Sequence, residues 1–330
     1  MQTGTVHALQ HQLLDRRARL REALTEDDSD AVLVRLLQQV DAALDRFAND
    51  EYARCLVCRG RMLEEDLLGN PLLEYCLCGL TPEQQSALEH DLELARRIQT
   101  ALLPDPRLEA DGWESSYRYE PAGVVSGDYC DLWVTGNGDG ALTFAVGDVS
   151  GKGVAASLLM AHLQAAFRSL VGAGVSLSET VEQVNRQLLE ATIPSHYATL
   201  ACGRARADGT VEVVNAGHTP PLIARRGSVE ALGPTGFPIG LVGDRPYRVT
   251  RFRLEEGEAL VLYTDGLTEA RRGAEEEYGD ERLRHFLVKS VNGASARGLV
   301  RAMRGDLAGF LGETAPSDDL TLMALRRTAA

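Results

Sequence analysis

The stretch Phe144-Ala-Val-Gly-Asp-Val-Ser-Gly-Lys-Gly153 constrains this chain more than any other. Leu142 to Val146 is mostly apolar and reads as a buried strand. Gly147, Asp148, Ser150, Gly151 and Gly153 follow, where the backbone must turn and can approach a neighbour closely. Beyond them Ala155, Leu158, Leu159, His162, Leu163, Ala166, Phe167 and Leu170 fall on one helical face. A strand therefore ends in a tight turn, feeds a helix, and leaves the carboxylate of Asp148 at its tip. Metals and phosphates settle at such places, although the same pattern also makes a plain turn.

Composition narrows the setting. A chain of 330 residues has room for about two domains, and its net charge of −14 argues against an unaided nucleic-acid surface. That charge suits a carboxylate-rich metal site, as it suits any acidic protein. His7, His11 and Asp15 interrupt the opening turns, so no signal peptide is expected. No apolar run reads as approaching the ~20 residues of a membrane span. The expectation is a cytoplasmic protein with reduced thiols and no membrane partner. Four of the six cysteines lie between positions 55 and 78, a clustering that points to metal before disulfide.

Residues 6 to 24 and the following Val32, Leu33, Leu36, Leu37, Val40, Ala43, Leu44 and Phe47 predict two amphipathic helices. A polar tip at Thr25 to Asp30 would join them as an antiparallel hairpin. Next come Cys55-x2-Cys58, seventeen residues, and Cys76-x-Cys78. Four thiolates in two pairs can close a tetrahedral zinc site, with a relic finger or a redox-active cluster as alternatives. Ala43-Leu44-Asp45-Arg46, Tyr52, Cys55, Cys58, Pro71 and Cys76 resemble the DksA/TraR family of zinc-finger proteins. The resemblance spans about 1–80 and implies a hairpin followed by a finger holding one structural Zn²⁺ through Cys55, Cys58, Cys76 and Cys78. Cys78 departs from the family spacing by one residue. The family's action on RNA polymerase is not carried over, because this hairpin is short.

Thr81 and Pro82 open a helix as N-cap and first residue. Leu88, Leu92, Ala95, Ile98 (or Gln99) and Leu102 give it near-heptad spacing, the pattern of a connecting helix or of a dimerising linker that relays a signal. From Trp113 the texture changes to strands in groups, glycine turns and helical pairs. That order predicts an α+β sandwich and not a doubly wound sheet. The domains expected are 1–80, a linker helix at 81–106, and 107–330.

Within the last of these, Asp128, Asp148, Asp265 and Asp318 (beside Asp319) each sit at the start or end of a predicted strand. Singly, Asp-Gly is turn chemistry. Together, converging carboxylates repel unless a cation neutralises them, and oxygen-only ligands suit Mg²⁺ or Mn²⁺. Cys130 and Cys202 lie in strand-like surroundings and are expected in the core.

The segments Ala95-Arg96-Arg97-Ile98-Gln99, Leu103-Pro104, Ser126-Gly127-Asp128, Gly147 to Gly153, Asn215-Ala216-Gly217-His218, Tyr263-Thr264-Asp265-Gly266 and Asp318-Asp319-Leu320-Thr321 resemble the metal-dependent PPM serine/threonine protein phosphatases. They match the bacterial SpoIIE/RsbU branch, in family order from about 90 to 328. The resemblance implies an α-β-β-α sandwich of antiparallel sheets flanked by helices. It implies two ions, Mn²⁺ or Mg²⁺, with Asp148 bridging them. Asp265 and Asp318 would hold one ion, Asp128 and the backbone carbonyl of Val149 the other. A water activated there would attack phosphorus in line without a phosphoenzyme, so Asp148, Asp128 and Asp265 carry the catalytic assignment. Asp319 is the lesser ligand of its pair, Lys152 is a candidate phosphate contact, and Asn215 and His218 would orient a loop. Arg118, ten residues before Asp128, is no secure match for the arginine of classical members, which leaves phosphate clamping unassigned. The implied substrate is a phosphoprotein, an anti-anti-sigma-type partner. Helices at about 153–191 would act as a switch read by the linker. The competing expectation is an inactive regulatory binding protein.

Overall fold

The computed structural model describes residues 3–26, 31–49, 51–76, 81–134, 140–171, 175–191, 196–243, 245–273 and 276–328. Contacts divide the chain into two compact units, Met1–His90 and Asp91–Ala330. The boundary falls inside the expected linker helix, not at its end.

In the first unit α1 (Thr3–Glu26) and α2 (Ala31–Ala48) pack through Leu9, Leu13, Val40, Ala43 and Leu44. Asp41 lies 3.8 Å from both Arg17 and Arg21, one turn apart on the other helix. The turn between the helices falls largely outside the described residues. Tyr52, Cys55, Met62 and Leu67 (in α3, Glu64–Gly69) complete the same core. Phe47 stacks on Tyr52 with ring centroids 3.6 Å apart. The Tyr52 hydroxyl donates to the Pro71 carbonyl at 2.8 Å, and Arg46 donates to the Leu73 carbonyl at 3.1 Å.

Helix α4 (Pro82–Leu102) begins where Thr81 and Pro82 place it. Thr81 and Gln84 form a reciprocal capping pair, amide to side chain in both directions, at 2.9 and 3.3 Å. The phase of the helix favours Gln99: it is buried, while Ile98 is 56% exposed.

The second unit is a four-layer sandwich. One sheet has the order β1 (Arg107–Ala110), β2 (Trp113–Glu120), β13 (Leu320–Arg327), β10 (Ala259–Tyr263), β7 (Leu222–Arg225), β8 (Ser228–Ala231). The other runs β3 (Asp128–Val134), β4 (Leu142–Val149), β5 (Ala198–Ala205), β6 (Thr210–Ala216), β9 (Thr250–Arg253). Their ladders are antiparallel. A short ribbon of β11 (Arg271–Arg272) and β12 (Glu276–Glu277) stands apart.

Strand periodicity explains the layers. In β4 Leu142, Phe144 and Val146 enter the core between the sheets, while Ala145 and Val149 face the outer helices. In β10 Leu260 and Leu262 point inward, and Val261 and Tyr263 outward. With both faces covered, β4 and β10 are mostly apolar along their length, and a fully buried side chain such as Phe144 contributes about 2–3 kcal/mol.

Helices α5 (Gly153–Val171) and α6 (Leu177–Ala191) cover one sheet through Met160, Phe167, Val184 and Leu188. Ser176 caps α6, its hydroxyl accepting from the Glu179 amide. Arg168 of α5 forks onto the fully buried Asp131 of β3 at 2.6 and 2.7 Å, which ties that helix to the sheet. Helix α5 is long and apolar enough to cross a membrane by length and composition, contrary to the expectation that no run approaches that. Its apolar face is spent on the sandwich core. After α7 (Asp265–Thr268), helices α8 (Asp280–Ser290) and α9 (Ala296–Leu311) cover the other sheet through Leu283, Leu299, Met303 and Phe310.

Candidate metal centre

The four aspartates reach one end of the sandwich from four separate strand ends. Asp128 opens β3 and lies directly opposite Asp148 in the β3–β4 register. Asp265 follows β10 as the first residue of α7, and Asp318 stands two residues before β13. Strands β10 and β13 are hydrogen-bonded neighbours, with Tyr263 opposite Leu322, so their tips lie side by side.

Asp128 is the buried member, 2% exposed. Its Oδ2 accepts from the hydroxyls of Thr264 at 3.0 Å and Thr321 at 2.6 Å. Thr264 Oγ1 accepts in turn from the Thr321 amide at 2.9 Å. Burial drives the Asp128 carboxyl well above the usual range, opposed by the Thr321 and Thr264 hydroxyls and reinforced by Asp148 and Asp319. Asp148 is pushed up to about 7, first by burial and then by Asp265, Asp318 and Asp319, with Lys152 opposing. Asp265 is raised by burial and by Asp318.

Asp319 has a different occupation. Its two oxygens accept from the amides of Ala122 at 2.7 Å and Gly127 at 3.0 Å, which pins the loop leading into β3. Gly266 makes that packing possible: a Cβ there would stand 1.9 Å from the Asp319 carbonyl oxygen. Gly127 lies against Val149, where a Cβ would be 3.1 Å from its carbonyl oxygen. The Ala198 amide, register partner of Val149, is directed to the Ile239 carbonyl instead. Asn215 accepts from the His218 amide at 2.8 Å and donates to the carbonyls of His218 and Leu232, so it holds the loop's backbone. His218 Nδ1 lies 2.8 Å from Thr199 Oγ1, and burial lowers its pKa to about 4.

This donor set fits a hard divalent cation. It is all oxygen, its members raise one another's pKa, and the nearest cation is already engaged with it. Lys152 Nζ lies 3.0 Å from Asp318 Oδ2 and donates to the Ser317 carbonyl at 3.2 Å. Among the described residues no three of these carboxylates lie within 4.8 Å of one another. Arg118 turns elsewhere, to Glu120 at 2.6 Å.

Sulphurs of Cys55, Cys58 and Cys76 in the first unit do converge within 4.8 Å. The Cys76 amide donates to Cys55 Sγ and the Gly60 amide to Cys58 Sγ, both at 3.3 Å. Amide donation, from Cys58 and then Cys76, lowers the Cys55 thiol to about 7. Cys78 lies outside the described residues. Cys130 and Cys202 are buried, as expected.

Gln99 was named for its place in the α4 repeat, not for its contacts. Its carboxamide donates to the Ser126 carbonyl at 2.7 Å and accepts from the Ser126 amide at 3.0 Å. Ser126 Oγ accepts from the Asp128 amide at 3.0 Å. Gln164 of α5 donates to the Leu102 carbonyl at 2.6 Å. The end of α4 is therefore bonded both to the loop that carries Asp128 and to the helix that follows Asp148.

A family model described as Stage II sporulation protein E (SpoIIE) matches residues 138–328, more than half of the chain. The chain belongs to the SpoIIE family. Protein IcfG of Synechocystis sp. is 27% identical over 266 residues, 72% of this chain and 41% of that protein. The SpoIIE-family chain thus spans less than half the length of that relative. Phosphoserine phosphatase RsbU of Bacillus subtilis is 26% identical over 246 residues, covering 74% of this chain and 72% of RsbU. The SiaA-PP2C domain of Pseudomonas aeruginosa shares the fold, with a TM-score of 0.63 and 20% identity over 73% of this chain and 97% of that domain.

Proposed function

We propose that this SpoIIE-family chain is a cytoplasmic, metal-dependent phosphatase of phosphoserine or phosphothreonine on a regulatory protein, governed by its N-terminal unit. The observation that carries the reading is the apposition of Asp128 and Asp148, joined by Asp265 and Asp318 at one sandwich end. Burial, and then the charge of the neighbouring carboxylates, raises Asp148 and Asp265, which supports an oxygen site suited to divalent cations. The similarity to a phosphoserine phosphatase supports a phosphoserine substrate.

In this proposal Asp148, Asp265, Asp318, Asp128 and the Val149 carbonyl would hold two Mn²⁺ or Mg²⁺ ions, with Asp148 the ligand they would share. When bound, such a pair of ions lowers the pKa of a water and clamps phosphoryl oxygens. The chain's own residues do the positioning. Thr264 and Thr321 keep Asp128 aimed, and Asp319 fixes the loop before it. Lys152, paired with Asp318 here, is the proposed contact to substrate phosphate.

Regulation is proposed to run through α4 into α5 and α6 by the Gln99 and Gln164 contacts. Residues Leu94 and Ile98, 46% and 56% exposed on α4, support pairing with a second copy through the linker. The substrate proposed is an anti-anti-sigma-type phosphoprotein, with no direct nucleic-acid role. Cys55, Cys58, Cys76 and Cys78 are proposed to hold one structural Zn²⁺, the sulphur convergence supporting it; against the expectation of reduced thiols, Cys76 is disulfide-bonded in this structure and serves as a ligand only once reduced.

The deciding experiment is Mn²⁺-dependent hydrolysis of an aryl phosphate, with Asp148→Asn as the comparison. Turnover lost in a folded Asp148→Asn chain upholds the enzyme. No turnover on aryl phosphate or phosphoprotein with either metal would favour a regulatory binding protein. Ala95→Pro tests the relay: its activity should stop responding to the natural input. A phosphoproteome compared with and without the protein would identify the substrate.

A further inference from the structure

A cleft of about 480 Å³ opens where β1 and β2 meet α9. Five arginines line it: Arg107, Arg118, Arg297, Arg301 and Arg304, together with Ser116. Arg297, Arg301 and Arg304 are spaced i, i+4, i+7 and share one face of α9. Arg107 and Arg118 come from the strands beneath. In a chain of net charge −14 such a concentration of guanidinium groups needs an explanation.

The carboxylates nearby do not supply it. Glu120 accepts from both Arg118 at 2.6 Å and Arg304 at 2.7 Å. Glu114, at the far end of β2, is taken by the Ala296 amide. Among the described residues Arg107, Arg297 and Arg301 enter no ion pair. Three charged forks thus face a concavity whose volume falls within the range of small-ligand sites. Unpaired guanidinium groups in close array repel one another, and the array gains most from a compact, multiply charged anion. Guanidinium matches phosphate in a bidentate manner.

We propose that this cleft binds a small polyphosphate-bearing anion, at a site separate from the aspartate cluster. The two sites share no lining residue: the cavity beside the aspartates is bounded by Leu92, Ala122, Lys152, Ser317, Asp318 and their neighbours. They are nonetheless joined through β2 and β13, since Glu120 lies opposite Leu320, two residues beyond Asp318. An anion that draws Arg304 from Glu120 acts on the strand pair that ends at the metal centre.

Titration calorimetry of the full chain, in buffer with excess Mg²⁺, tests the assignment with tripolyphosphate and adenosine triphosphate as probes. Arg297→Ala/Arg301→Ala should weaken tripolyphosphate binding by about ten-fold or more. Asp148→Asn and the distant Arg271→Ala should leave it within about two-fold, and added salt should weaken it steeply. Equal affinity for both probes assigns recognition to phosphate alone, and tighter nucleotide binding adds a nucleoside contact. Thermal melts of the double variant should match the parent, because both side chains are exposed and unpaired. The proposal is overturned if tripolyphosphate does not bind at about 1 mM, or if the double variant binds as the parent does. Loss of binding in Asp148→Asn would also overturn it, as would preference for a polyglutamate peptide over tripolyphosphate. None of these readouts depends on phosphatase turnover, so failure of the catalytic reading would leave the test intact.

Discussion

Asp128 and Asp148 sit directly opposite one another on neighbouring antiparallel strands, one buried beneath two threonine hydroxyls and the other at the mouth of the site. Two like charges in that register are a cost to the fold and an asset to a cation.

That cost can be measured. Asp148 has its carboxyl raised to about 7 from an ordinary 3.8, so its ionisation opposes folding as pH rises through that window. In metal-free buffer Asp148→Asn should therefore be more stable than the parent at pH 8, by up to ~4 kcal/mol, and no more stable near pH 4. The same substitution should lower Mn²⁺-dependent hydrolysis by about 10²-fold or more. Urea unfolding at the two pH values, beside an aryl phosphate assay, reads both effects.

Thr321→Val keeps the shape of the side chain and removes the 2.6 Å donor to Asp128. A buried carboxylate short of one donor costs about 1–3 kcal/mol. Support groups behind a metal ligand are commonly worth 10–100-fold in metal affinity, so the Mn²⁺ needed for half-maximal activity should rise by roughly that factor. Unchanged metal dependence would mean that Asp128 is aimed by something else.

The phase of α4 gives a paired test. Gln99→Leu leaves the Ser126 amide and carbonyl without their partner and should destabilise the second unit by about 1–3 kcal/mol. Ile98→Ala, one position away and exposed, should cost no more than ~0.5 kcal/mol. Denaturant midpoints of the two variants decide it, and the reverse order would put Ile98 in the packed position.

His218 is held neutral, with burial lowering its pKa from 6.5 to about 4. Stability it contributes is complete above pH 6.5 and is lost as pH falls toward 4, where the unfolded chain takes up a proton that the folded chain refuses. The loss across that window is about 3 kcal/mol at most. Subtracting the curve of His218→Asn from that of the parent isolates it from the carboxylates that titrate in the same range. A flat difference would show that His218 takes up its proton in the fold at the same pH as in the unfolded chain.

Cys55→Ser addresses the first unit by itself. Purified protein should carry one zinc per chain, and the variant close to none. Protease protection of residues before His90 should fall in step with the metal. Equal zinc in parent and variant would leave the three sulphurs without a metal role.

Much of this molecule could be read from its residues. The apolar run from Leu142 to Val146 placed β4, because that strand is buried on both faces and carries a nearly continuous signal. Asp128, Asp148, Asp265 and Asp318 stood out because each closes or opens such a run. Thr264 and Thr321 sit within the matched segments, but a hydroxyl beside a strand tip gives no sign that it will meet a carboxylate 136 or 193 positions away. Gln99 was ambiguous for a related reason, since heptad spacing favours an apolar residue in the seam and the buried position went to an amide with a distant backbone partner. The arginine cleft was invisible because its five side chains come from β1, β2 and α9, nearly two hundred residues apart in the chain.

Strand β13 is inserted between β2 and β10, and Asp318 immediately precedes it. A ribosome must therefore release residues up to about 327 before the first sheet can close around its middle strand. Until then the nascent chain has a divided sheet and an incomplete set of carboxylates. A chain that stopped before Asp318 would lack one carboxylate of the proposed metal centre, however much of the sandwich had already formed.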